Sequence, residues 1–111
     1  MIGITVIQPP YYAGDNPDEK IAEFLLNEVK KADCNSLIVL PEYSNAGGLS
    51  DKERELKALC RADIMHEKIS KYAKQKSSYI AVNVLEKRNG KIKNSTYLYD
   101  KEGNKAYIFE R

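Results

Sequence analysis

The sequence predicts an α/β fold with the element order β-α-β-α-β-β-β, in one domain over residues 1–111. Three observations carry this prediction. An apolar strand, a one-faced helix and a second apolar strand succeed one another up to Leu40, the pattern of a parallel βαβ unit. A second helical region follows, and from Ser78 the apolar period changes from that of a helix to two. Asn89-Gly90 then joins two alternating segments as a tight hairpin would.

Each element has its own signal. Ile2 to Ile7 is β-branched and ends at Pro9-Pro10, which predicts a buried first strand. Asn16-Pro17-Asp18-Glu19 sets a cap, a proline at the first helical position and an acid three residues after the cap, so a helix runs from Pro17 to Lys31. Ile21, Phe24, Leu25, Val29 and Ala32 form its apolar stripe, and Lys30 and Lys31 complement the negative end of its dipole. Ser36 to Leu40 is a continuous apolar strand, expected to lie parallel to the first and to be covered on both faces. Pro41 stops it, and Glu42 to Gly48 forms a loop at its carboxyl end, where open α/β sheets bind ligands. Ser50-Asp51-Lys52-Glu53 is a capping box that opens the second helical region. Leu56, Leu59, Cys60, Met65, Ile69, Tyr72 and Ala73 carry its apolar face, with a drift near Arg61 to Ile64 that suggests a break into two helices. Strands at Tyr79 to Glu86, Lys91 to Tyr99 and Lys105 to Glu110 complete the order, the last two joined by a turn at Lys101 to Asn104.

Composition narrows the function classes. Eighteen Lys and Arg against sixteen Asp and Glu leave a net charge of +2. These charges are dispersed, including the Lys68, Lys71, Lys74, Lys76 series on one helix side, so no nucleic-acid partner is expected. No run approaches the ~20 apolar residues of a bilayer span, and the start of the chain lacks the marks of a secretory signal, so no membrane role and a cytoplasmic location are expected. Cys34 and Cys60 lack CxxC spacing and His66 is the sole histidine, so neither a metal nor another cofactor is expected. The two thiols read as reduced, semi-buried packing residues, and His66 as a solvated or capped histidine.

Glu42 is the residue to weigh first. A carboxylate placed directly after an apolar strand and a proline is held on a stiff element, half removed from water, where it can serve as a general base; the alternative is a loop acid that simply faces solvent. Tyr43 and Asn45 beside it are the candidate substrate contacts. Tyr43, like Tyr11 and Tyr12, flanks a strand end, where either a substrate rim or surface packing uses an aromatic ring. Asn45, with Gly47 and Gly48, offers backbone donors next to Glu42.

Leu37-Ile38-Val39-Leu40-Pro41-Glu42-Tyr43 resembles the strand-and-acid motif of the nitrilase, or carbon–nitrogen hydrolase, superfamily. Asn94-Ser95-Thr96-Tyr97-Leu98-Tyr99-Asp100-Lys101-Glu102-Gly103 is similar to the same family's Asn-Ser strand and the acidic-glycine turn after it. The resemblance extends over the whole chain and identifies it as the amino-terminal half of a nitrilase-like α-β-β-α sandwich.

That resemblance implies a Cys-Glu-Lys triad that hydrolyses amides, nitriles or carbamoyl groups through a covalent thioester-type intermediate. Glu42 matches the acid, which activates the cysteine and then the attacking water. The family lysine stabilises the anionic intermediate, and the position closest to it is Arg111. Either arginine replaces that lysine, a poor exchange for a compact ammonium, or the lysine lies past Arg111. The family cysteine lies well downstream, and neither Cys34 nor Cys60 occupies a matching position. Two readings follow: the motif-bearing part of an amidase-type hydrolase, inactive alone and completed by a longer or complementing chain, or a non-catalytic nitrilase-like module for binding or assembly, including pairing with itself. The resemblance leaves the choice among amide, nitrile and carbamoyl substrates open.

Overall fold

A computed structural model describes residues 3–9, 17–42, 44–45 and 52–110. The elements are β1 (Gly3–Val6), α1 (Pro17–Lys31), β2 (Ser36–Val39), α2 (Lys52–Lys76), β3 (Tyr79–Arg88), β4 (Lys91–Tyr99) and β5 (Lys105–Glu110). They build one five-stranded sheet in the order β1-β2-β3-β4-β5. The first three strands are parallel, and β4 and β5 add antiparallel. This is the predicted α/β class and element order.

Two successive crossovers in the same direction place α1 and α2 on one face of the sheet, since such connections are right-handed. The core forms there. Ala22, Leu25 and Val29 of α1 and Met65, Ile69 and Ala73 of α2 meet Ile38, Ile80, Val82, Val84, Tyr97 and Tyr99 of the sheet. β3 alternates strictly, with Ile80, Val82, Val84 and Glu86 buried toward the helices and Tyr79, Ala81, Asn83 and Leu85 on the other face.

The expectation that the parallel strands are covered on both faces is corrected. β1 is an edge strand, and Ile4 and Val6 on its helix-free side are 69% and 61% exposed. No described element lies over that face. The same side carries Tyr107 and Phe109 of β5, both exposed, because their partners Leu98 and Thr96 point there.

α2 also differs from expectation. It is one unbroken helix of 25 residues. Its buried row is Ala58, Ala62, Met65, Ile69 and Ala73, whereas Leu56 is 66% exposed and Cys60 is exposed as well. The spacing of four, three, four and four is a regular helical stripe. Small alanines at its start let the helix approach its neighbours closely, so the apparent drift at Arg61 to Ile64 came from weighting bulk over position. Cys34 is likewise exposed, and the semi-buried packing role expected for both thiols does not hold. Among the described residues, no helix is long and apolar enough to cross a membrane, and no cluster of three His, Cys, Asp or Glu side chains is arranged to hold a metal.

Candidate active site around Glu42

Glu42 sits just past the carboxyl end of β2, in a segment tied to β3 at several points. Beyond the last β2 residue, the Leu40 amide donates to the Ala81 carbonyl at 2.9 Å, and the Ser44 amide donates to the Asn83 carbonyl at 2.9 Å. The Ser44 hydroxyl donates back to the Pro41 carbonyl at 2.8 Å, closing the bend that contains Glu42. Pro41 removes the donor that would continue the strand, which is why the chain leaves the ladder there.

Asn45 then locks the segment. It is fully buried. Its Nδ2 donates to the Ala58 and Leu85 carbonyls, each at 2.8 Å, and its Oδ1 accepts from the Leu85 amide at 2.9 Å. Arg61 donates to the Asn45 carbonyl at 2.8 Å and pairs with Glu19 at 3.5 Å. The amide therefore bridges α2 and the free side of β3, so the side chain of Asn45 has a structural role. Tyr43 and Arg111, the other expected site residues besides Glu42, lie outside the described residues, as do Tyr11 and Tyr12.

Glu42 itself is exposed rather than half removed from water. Asn94 Nδ2 donates to its Oε1 at 3.2 Å. Asn94 in turn accepts at Oδ1 from Asn83 Nδ2 at 2.5 Å, and the same Nδ2 donates to Thr96 Oγ1 at 3.0 Å. Asn83 opposes Thr96 directly across β3 and β4, and Asn94 stands two positions away on the same face, close enough for these side chains to meet diagonally. Glu42, Asn83 and Thr96 line a concavity of about 240 Å³ floored by Val39 and Ala81 on the helix-free face. An acceptor carboxylate, oriented by an amide donor over an apolar floor, can take a proton from a group within hydrogen-bond reach. Asn83 was not singled out from the sequence, and Asn94 and Thr96 entered only as part of a motif. The available signal was isolated polar residues, Asn83 in β3 and Asn94 and Thr96 in β4, on a strand face that also carries Ala81, Leu85 and Leu98.

Neither thiol joins this site. Cys34 precedes β2, at the opposite end of that strand from Glu42. Cys60 lies on the outer side of α2, in a separate concavity with Glu19, Leu56, Arg61 and Ile64.

A second polar cluster lies on the helix face. His66, expected to be solvated or capped, has a side chain only 12% exposed; its Nε2 meets Glu86 Oε1 at 2.9 Å and its Nδ1 meets Tyr99 Oη at 2.6 Å. The Tyr97 hydroxyl donates to the other Glu86 oxygen, and Lys105 Nζ stands 4.9 Å from the centre of the Tyr97 ring. Burial pushes the Glu86 carboxyl up, but the hydrogen bonds from Tyr97 and His66 outweigh it and hold the group below its ordinary value. Burial pushes the Tyr99 hydroxyl up, and the nearby charges of Tyr97 and Glu86 add to that shift.

The turn after β4 is equally well defined. Asp100 Oδ1 accepts from the amides of Glu102 and Asn104 at 3.0 and 2.9 Å, and Gly103 adopts a φ of 83°. The Ser70 hydroxyl of α2 donates to the Gly103 carbonyl at 2.6 Å.

No protein-family model and no curated sequence matches the chain. Solved structures do. A carbon–nitrogen hydrolase from Helicobacter pylori superposes with a TM-score of 0.75 at 20% identity, covering 99% of this chain and 39% of the other. The NitFhit protein of C. elegans gives a TM-score of 0.71 at 17% identity, covering 100% of this chain and 29% of that one. An amidase from Nesterenkonia sp. gives 0.69 at 10% identity, covering 99% and 42%. The chain thus spans about two fifths or less of the length of these proteins. Over that part, it shares its fold with these proteins.

Proposed function

We propose that this chain is the amino-terminal part of a carbon–nitrogen hydrolase acting on amide, nitrile or carbamoyl C–N bonds, with Glu42 as the general base of a Cys-Glu-Lys triad. The observation that carries the reading is Glu42 itself: a carboxylate at the carboxyl end of β2, fixed by backbone ties on both sides and oriented by Asn94 over an open concavity. The fold shared with hydrolases of this type supports it. The cysteine is supplied by sequence other than these 111 residues, either a longer form of the chain or a complementing one.

In that assembly Glu42 takes the thiol proton as sulfur attacks the substrate carbon. On an amide or carbamoyl substrate the proton passes to the leaving nitrogen, leaving an acyl-enzyme thioester; on a nitrile it passes to the nitrogen of a thioimidate, and addition of water with loss of ammonia gives the same thioester. Glu42 then removes a proton from water as its oxygen attacks the thioester, and the thiol is regenerated. A cation at the family lysine position, either Arg111 itself or a lysine past it, offsets the charge on the tetrahedral oxygen. The test is thiol-dependent hydrolysis of amide, nitrile and carbamoyl substrates by the assembled protein and by its Glu42→Gln variant. Loss of a general base lowers the rate by about 10²–10⁴; a folded variant with an unchanged rate overturns the reading.

The exposed apolar residues Ile4, Val6, Tyr107 and Phe109 favour a second reading, a nitrilase-like module that pairs through its helix-free face with itself or with another chain. A strictly monomeric protein in sedimentation at high concentration, with no partner recovered, counts against it.

A further inference from the structure

An asparagine amide has two ends of nearly the same shape and opposite chemistry, a donor NH2 and an acceptor oxygen. Only the NH2 end attracts a carboxylate. Asn94 presents Nδ2 to Glu42, and what dictates that choice is its neighbour. Asn83 Nδ2 donates to Asn94 Oδ1 and to Thr96 Oγ1. With both Asn83 hydrogens committed, the oxygen of Asn94 is held toward Asn83 and its NH2 is left for Glu42. The backbone of Asn83 contributes independently, because its carbonyl accepts from the Ser44 amide two residues beyond Glu42.

We propose that Asn83 is a positioning residue for Glu42, acting through the amide of Asn94: donation from Asn83 fixes the orientation in which Asn94 can hold the carboxylate. The proposal rests on the reading of Glu42 as a general base, and it adds a directional relay, Asn83 to Asn94 to Glu42, that the triad does not contain.

Asn83→Asp is the informative variant, since it keeps the shape and removes the donor. Its carboxylate draws the NH2 of Asn94 toward itself, turning the Asn94 oxygen on Glu42. In the assembled enzyme, kcat falls tenfold or more while KM stays within about twofold, a split that a merely structural role would not produce. Asn83→Ser removes the contact without adding charge and gives the same kcat loss, which separates the lost donor from the aspartate's new charge and serves should the aspartate variant fail to fold.

A second readout needs no substrate. In ¹⁵N–¹H spectra of the protein, the side-chain amide signals of Asn94 move on acid titration in the native protein, stop moving in Glu42→Gln, and respond less in Asn83→Ser, which adds no titrating group. Persistence of the native response in Asn83→Ser, or an unchanged kcat in that variant, overturns the relay. Retention of hydrolysis by Glu42→Gln overturns the catalytic reading separately, whatever the Asn94 signals do.

Discussion

Replacing Asn45 by alanine tests the account of how Glu42 is held. The native amide is fully buried and satisfies the Leu85 amide, the Leu85 carbonyl and the Ala58 carbonyl. Ala58 lies inside α2, where its carbonyl also accepts the helical bond. The cost therefore falls mainly on the two Leu85 groups, which face the side of β3 away from β4. At about 1–3 kcal/mol for each buried polar group left unpaired, the variant loses about 2–6 kcal/mol. That is a large fraction of the ~5–15 kcal/mol by which a domain is stable. With a urea slope of about 1.5 kcal/mol/M, a loss of about 3 kcal/mol lowers the unfolding midpoint by about 2 M. Asn45→Asp is no rescue. It keeps the acceptor for the Leu85 amide but sets an anionic oxygen against two carbonyls, so its loss equals or exceeds that of alanine. A loss under about 1 kcal/mol in Asn45→Ala, with an unchanged slope, would show that Asn45 is not the lock of this segment.

Two other perturbations follow from the same structure. The Glu86 carboxyl is held below its ordinary value of 4.5 in the folded protein, so the stability it contributes is present above that pH and lost as pH falls through the lowered value. The urea midpoint should accordingly fall on acidification from about pH 5 to about pH 3 and fall less steeply in Glu86→Gln; equal slopes would remove Glu86 from the acid response. A methyl group at Gly103 would stand 2.7 Å from the backbone oxygen of Ser70, at a φ of 83° that side chains disfavour. Gly103→Ala should cost about 2–3 kcal/mol and lower Tm by several degrees, and a variant melting with the wild type would contradict the docking of this turn on α2.

How much of this was legible in the sequence depended on the range of the interaction. α1 was readable to its ends, because its cap, its N1 proline and its basic last turn are all local. The hairpin of β3 and β4 was readable from Asn89-Gly90, whose φ values of 52° and 78° are those the tight turn demands. Glu42 was readable as a candidate site residue from the apolar strand and proline before it. The roles of Asn45, Asn83 and His66 were not. Each depends on a partner distant in the chain: Asn45 on Leu85, Asn83 on Asn94 and Thr96, and His66 on Glu86 and Tyr99. A lone polar residue in a sequence has no visible partner, so a buried bracket such as Asn45 looks the same as an exposed ligand contact.

Burial divided along the same line. Alternation in β3 identified two faces, and that much follows from a period of two. Which faces are covered followed from where the helices pass, and both pass on one side, leaving Ile4 and Val6 in the open despite their apolar character. The sequence by itself determined the order of elements and the α/β class, since these rest on propensity, caps and turns among neighbouring residues. Only the tertiary structure decided which polar side chains serve the fold and which serve the site, because a hydrogen bond's meaning is set by the group at its other end.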